Sequence, residues 1–227
     1  MVLERDSFGF SAVGEMIFAS GGRSNGGHPW GSLSSVEVFT LDEGWRLESK
    51  LEMEASKDSH CSVAIGTWLY TIGGSVGGNT LESTSNLVEA IDTNLLSTND
   101  SITWVNKASM TDNRWGHGCH SGVFEGQEGI YVAGGANGNG DLTSAEFYNL
   151  AGDNWQYIGS LNVGRTYSPM TMLGENLIVS GGQLDYHLTT CSVETWNGSN
   201  WVELNNLMVG RAYHAAVSIK AGKLACA

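Results

Sequence analysis

His117, Cys119 and His120 crowd three metal-ligating side chains into four positions, and His60, His117 and His214 each stand three residues after a basic residue. Zinc holds its ligands about 2.0 to 2.3 Å away. On a strand, His117 and Cys119 share one face while His120 turns to the other. The three spaced histidines fall in separate segments, and stacked sheets lie roughly 10 Å apart. Neither set reads as a metal centre. The run Asn137-Gly138-Asn139-Gly140-Asp141 alternates oxygen ligands as a calcium loop begins, yet it lacks the later glutamate and the full spacing. A Gly-Asn hairpin is the reading it supports. The chain has no Gly-x-Ser-x-Gly elbow, phosphate-binding loop or HExxH helix. The groups that remain are aromatic and hydrogen-bonding, which suits binding more than bond-making.

The elements that must position these groups recur. Gly21-Gly22, Gly73-Gly74, Gly134-Gly135 and Gly181-Gly182 each close an apolar run and are answered downstream by Trp45, Trp104, Trp155 and Trp201. The runs are rich in branched and aromatic residues, as strands are. Paired glycines after a strand permit positive φ and close backbone approach. Between doublet and tryptophan an acidic residue recurs, at Glu37, Glu89, Glu146 and Glu194, and a basic residue opens each unit at Arg5, Lys57, Arg114, Arg165 and Arg211. The repeat is roughly fifty residues long.

This pattern resembles the kelch repeat, over nearly the whole chain. The resemblance implies an all-β fold, a kelch-type β-propeller of four-stranded antiparallel blades. About four complete blades are expected, at 5–51, 57–110, 114–161 and 165–209, with the start of a fifth at 211–227, all in a single domain spanning 1–227. It also implies that Glu37, Glu146, Glu194, Trp45, Trp104, Trp155, Trp201, Arg114, Arg165 and Arg211 hold blades together. Lys57 departs from arginine, and the insertion after Glu89 makes the second blade the least regular. Kelch propellers generally have more than four blades, so the chain is expected to be a piece of a longer propeller. The rival is a four-bladed ring whose tail, 212–218, completes a sheet or pairs with another copy.

Composition agrees with an all-β domain: 31 glycines, two prolines and a charged fraction of 15%, against a common charged fraction of about 25%. The net charge of −13 repels phosphate backbones, so nucleic acid is not expected as a partner. No apolar stretch approaches a membrane span, and the first residues lack a hydrophobic signal core. Cys61 and Cys119 lie four and five residues past their basic residues, which turns them to opposite faces; both are read as buried free thiols. Asn99-Asp100-Ser101 and Asn197-Gly198-Ser199 fit the glycosylation acceptor pattern in expected turns. The compartment is left open between cytoplasmic and secreted.

In a propeller, the loops after the doublets and the starts of the inner strands share one end. Loops on a rigid scaffold commonly carry binding residues. Here they supply Arg23, Asn25, His28 and Trp30, then Asn137 and Asn139, then Asp185, Tyr186 and His187; the inner strands add His60, His117, Tyr167, Tyr213 and His214. Aromatics beside directional donors are typical of interaction hot spots. Some kelch-type propellers are oxidases similar to galactose oxidase, but no loop here carries that constellation. The expected function is a non-enzymatic module, without cofactor, that binds a protein or peptide on this loop face. The alternative is a structural component of an extracellular or cytoskeletal assembly that self-associates through open blade edges. Alanine at Arg23 and Tyr186 is expected to weaken binding and spare folding, while Trp155→Ala should cost about 3 to 5 kcal/mol if its ring is buried.

Overall fold

The computed structural model describes residues 1–24, 31–77, 83–98, 102–185 and 188–218. Each repeat forms one four-stranded antiparallel sheet. The first blade runs from Gly9–Val13 through Met16–Ser20 and Val36–Thr40 to Gly44–Leu47. The second comprises Cys61–Ile65, Trp68–Ile72, Val88–Asp92 and Val105–Lys107. Its third and fourth strands are separated by a short 3-10 turn, Thr93–Ser97, within the insertion that the sequence marks as irregular. The third blade is Gly118–Phe124, Gln127–Ala133, Ser144–Asn149 and Asn154–Ser160, and the fourth Met170–Leu173, Asn176–Ser180, Val193–Trp196 and Trp201–Glu203. The four sheets are arranged as a β-propeller. The tail 212–218 forms no strand.

The middle strands are apolar on both faces because the blades stack face to face. Three clusters fill the gaps. Phe18, Val38, Leu51, Leu69, Ile91 and Trp104 join the first two blades. Val63, Ile72, Met110, Ile130 and Tyr148 join the second and third. Phe124, Phe147, Leu177, Val179, Trp196 and Trp201 join the third and fourth. Two tryptophans also bind the preceding unit directly: the Trp104 indole N–H donates to the Leu51 carbonyl at 3.0 Å and that of Trp155 to Ala108 at 2.8 Å.

The doublets work by conformation and by proximity together. Gly21 and Gly22 have φ of +57° and +91°, and a Cβ on Gly21 would lie 2.4 Å from the Lys57 carbonyl oxygen. That closeness lets the Gly22 N–H donate to the same carbonyl at 2.9 Å, and Gly74, Gly135 and Gly182 donate likewise to Arg114, Arg165 and Arg211 at 2.8 to 2.9 Å. Each doublet thus ties its blade to the next.

The basic and acidic positions meet inside each blade. Arg5 pairs with Glu37 and Arg114 with Glu146, each at 2.7 Å, and Arg165 with Glu194 at 2.5 Å, all with side chains at most 1% exposed. The guanidinium also donates to the first glycine of the doublet, at Gly21, Gly134 and Gly181. Each of these glutamates accepts two backbone N–H groups from the residues that precede the arginine, as Glu146 does from Thr111 and Asp112. Buried charges are tolerated only when paired and hydrogen-bonded in this way. In the second blade Lys57 pairs with Glu89 and donates to Thr71; an ammonium lacks the planar fork that reaches the glycine carbonyl.

The cysteines correct the sequence reading. Cys61 and Cys119 are not free thiols but a disulfide, with Cα atoms 6.2 Å apart. Their opposite facing, taken as an obstacle, is what brings them together: in stacked blades the sides that meet are opposite faces of successive sheets. Cys191 is free and half-buried, and Cys226 lies outside the described residues.

Candidate functional site

Two residues past each basic residue the chain takes a left-handed conformation, at Ser7, Ser59, Gly116, Tyr167 and Tyr213, with φ between 51° and 63°. The N–H of each donates to the carbonyl of its predecessor: Ser59 to Ser7, Gly116 to Ser59, Tyr167 to Gly116 and Tyr213 to Tyr167, at 2.7 to 3.0 Å. Five residues from five repeats therefore form one winding hydrogen-bonded staircase. Left-handed backbone is costly for bulky residues such as tyrosine, so the staircase must be over-determined by its neighbours. It turns the side chains at these positions toward one rim.

Under that rim lies a cavity of about 460 Å³. It gathers five of the residues expected from sequence: Arg23, His60, His117, Tyr167 and Tyr213. Arg23 donates to Asp6 at 3.1 Å and to the Ser7 hydroxyl at 3.0 Å, and stands 3.9 Å from Asp58. His60 and His117 are buried. Burial, reinforced by Lys57, holds the His60 imidazole down at about 3, and burial with Arg114 and His60 nearby holds His117 well below its ordinary value. Both are neutral at physiological pH. His60 is anchored by the Ser20 hydroxyl at 3.0 Å, whereas among the described residues neither ring nitrogen of His117 has a partner. Tyr167 stacks on Tyr213 with centroids 3.9 Å apart and leans on Trp115 at 5.4 Å, making an aromatic shelf beside the cavity.

Other expected residues lie elsewhere. Asn137 is buried in a two-residue hairpin, where its Oδ1 accepts the Asn139 N–H at 2.8 Å; Asn139 is exposed. That hairpin is the one its sequence indicates. Asp185 is exposed, with its N–H donating to Asp141 at 2.9 Å. His214 packs beside the Ser180 hydroxyl at 3.4 Å. Asn25, His28, Trp30, Tyr186 and His187 lie outside the described residues, as does the acceptor triplet at Asn99. The other triplet, at Asn197, occupies an exposed turn in which Asn197 Oδ1 accepts the N–H groups of Ser199 and Asn200. Sequence reasoning missed Asp6, Phe8 and Trp115. Reading one position either side of the staircase residue in every repeat would have found them.

The fold is a β-propeller of four-stranded blades, and its repeats are similar to those of kelch-like proteins. It is 28% identical over 153 residues to Kelch-like protein 36 of Rattus norvegicus and to that of Mus musculus, matches covering 66% of this chain and 22% of each relative. The Bos taurus protein of the same name is 27% identical over 147 residues. The chain thus matches about a fifth of the length of these curated relatives. The solved structure of YjhT superposes with a TM-score of 0.76 at 12% identity, covering 93% of this chain and 73% of that one, a likeness of fold. No family model matches the chain. Among the described residues, no helix is long and apolar enough to cross a membrane.

Proposed function

We propose that this chain is a non-enzymatic module that receives a segment of a protein or peptide partner across the rim at the cavity, with Arg23, Tyr167 and Tyr213 as principal contacts. The observation that carries the reading is the staircase. It presents side chains from successive repeats along one edge, fixed by backbone hydrogen bonds that leave those side chains free to vary. The charges inside are already spent: Arg23 sits between two carboxylates, and the histidines are held neutral. Such a cavity favours recognition by shape, stacking and hydrogen bonding over proton transfer. Asn139 and Asp185 extend the same loop face.

Panning a random peptide library against the immobilised protein tests this. Selected peptides should lose most of their affinity to Arg23→Ala and Tyr213→Ala variants, whose urea midpoints stay near that of the parent. Tyr213 is 67% exposed, so its truncation removes little packing. Peptides that bind both variants as well as the parent would place the interaction elsewhere and overturn the reading.

A further inference from the structure

At the opposite end of the blades from the Gly-Gly loops, the inner hairpins of the third and fourth blades turn at Glu125-Gly126 and Gly174-Glu175. Between them opens a cleft of about 620 Å³. Its walls are aromatic and soft: Phe124, Tyr131 and Trp196 with Met172. Its edge carries the carboxylates of Glu125 and Glu175, both exposed. Among the described residues, no lysine or arginine lines it and neither glutamate makes an ion pair. Trp196, 6% exposed, has an indole N–H with no hydrogen-bond partner. The Tyr131 hydroxyl, by contrast, is satisfied by the Val123 carbonyl at 2.7 Å.

These features are complementary to one chemistry. Aromatic faces attract a cation through their quadrupoles, and unpaired carboxylates beside them accept charge-assisted hydrogen bonds. We propose that this cleft binds an arginine or lysine side chain of a peptide segment, the cation held by Glu125 and Glu175 against the aromatic wall. The volume falls within the usual range of ligand pockets, about 300 to 1,000 Å³. The site is separate from the loop face and needs none of its residues.

The indole N–H of Trp196 is the reporter. In proton–nitrogen spectra of the full chain, with the signal assigned by loss in Trp196→Phe, N-acetylarginine methylamide should shift that signal in a saturable way. N-acetylcitrulline methylamide, a neutral isostere, should not. The Glu125→Gln/Glu175→Gln double variant, altered only at exposed turns, should weaken the arginine probe about tenfold or more. Arg23→Ala should leave the titration unchanged, which separates this site from the loop face. An unmoved Trp196 signal, an equal response to the citrulline probe, or an unchanged titration in the double variant would each overturn the proposal.

Discussion

Arg114 and Glu146, 32 positions apart in the chain, meet at 2.7 Å with side chains 0% and 1% exposed. Burial pulls the guanidinium below its ordinary pKa, against the opposing attraction of Glu146 and Asp112. The pair organises more than itself, since Arg114 also holds the carbonyls of Gly134 and Ser144. Removing one member leaves the other charge buried without a partner. Glu146→Ala should therefore cost about 3 to 5 kcal/mol in urea unfolding. Arg46→Ala, which breaks a partly exposed pair with Glu43, should cost less than about 1 kcal/mol. Equal losses would mean that burial does not set the strength of these pairs.

The tryptophans should differ among themselves. Trp104 is 7% exposed and Trp155 is only half-buried, so the burial condition placed on Trp155 from sequence is not met. Trp104→Ala should cost about 3 to 5 kcal/mol and Trp155→Ala distinctly less, as read by denaturant midpoints.

Stability should fall with mild acid. His60 and His117 have folded-state pKa values below the unfolded one, so the unfolded chain binds more protons between the two values. Stability is then flat above the unfolded value of about 6.5 and declines as pH drops toward the folded values, about 3 for His60. Each histidine contributes up to about 1.4 kcal/mol per pH unit in that window. Urea midpoints at pH 7, 6 and 5 should show the slope, and His117→Asn should reduce it, leaving the share of His60. A parent profile level from pH 7 to 5 would contradict the neutral buried state.

The inter-blade disulfide should be worth about 2 to 4 kcal/mol. Reductant should lower the unfolding midpoint of the parent and leave the Cys61→Ser/Cys119→Ser variant unmoved. Mass spectrometry after alkylation of the unreduced, denatured chain should find Cys61 and Cys119 unmodified.

The spacing of glycine doublets, acids, tryptophans and basic residues is sufficient by itself to determine the repeat, the blade and most of the strands. These are local features: apolar runs make strands, and glycine alone tolerates both the positive φ and the 2.4 Å approach to the next unit. It also singled out Arg23, His60, His117, Tyr167 and Tyr213 as residues of one end of the fold. Only the tertiary structure decided how successive sheets face each other. That arrangement turned two cysteines on opposite faces into a disulfide, and buried His60 and His117 against the doublets of the preceding blades. It left Trp155 half-exposed, and set Phe124, Tyr131 and Trp196 around a cleft between hairpins that lie far apart in the chain. Such relationships depend on contacts between repeats, and a pattern that repeats within each unit carries no record of them.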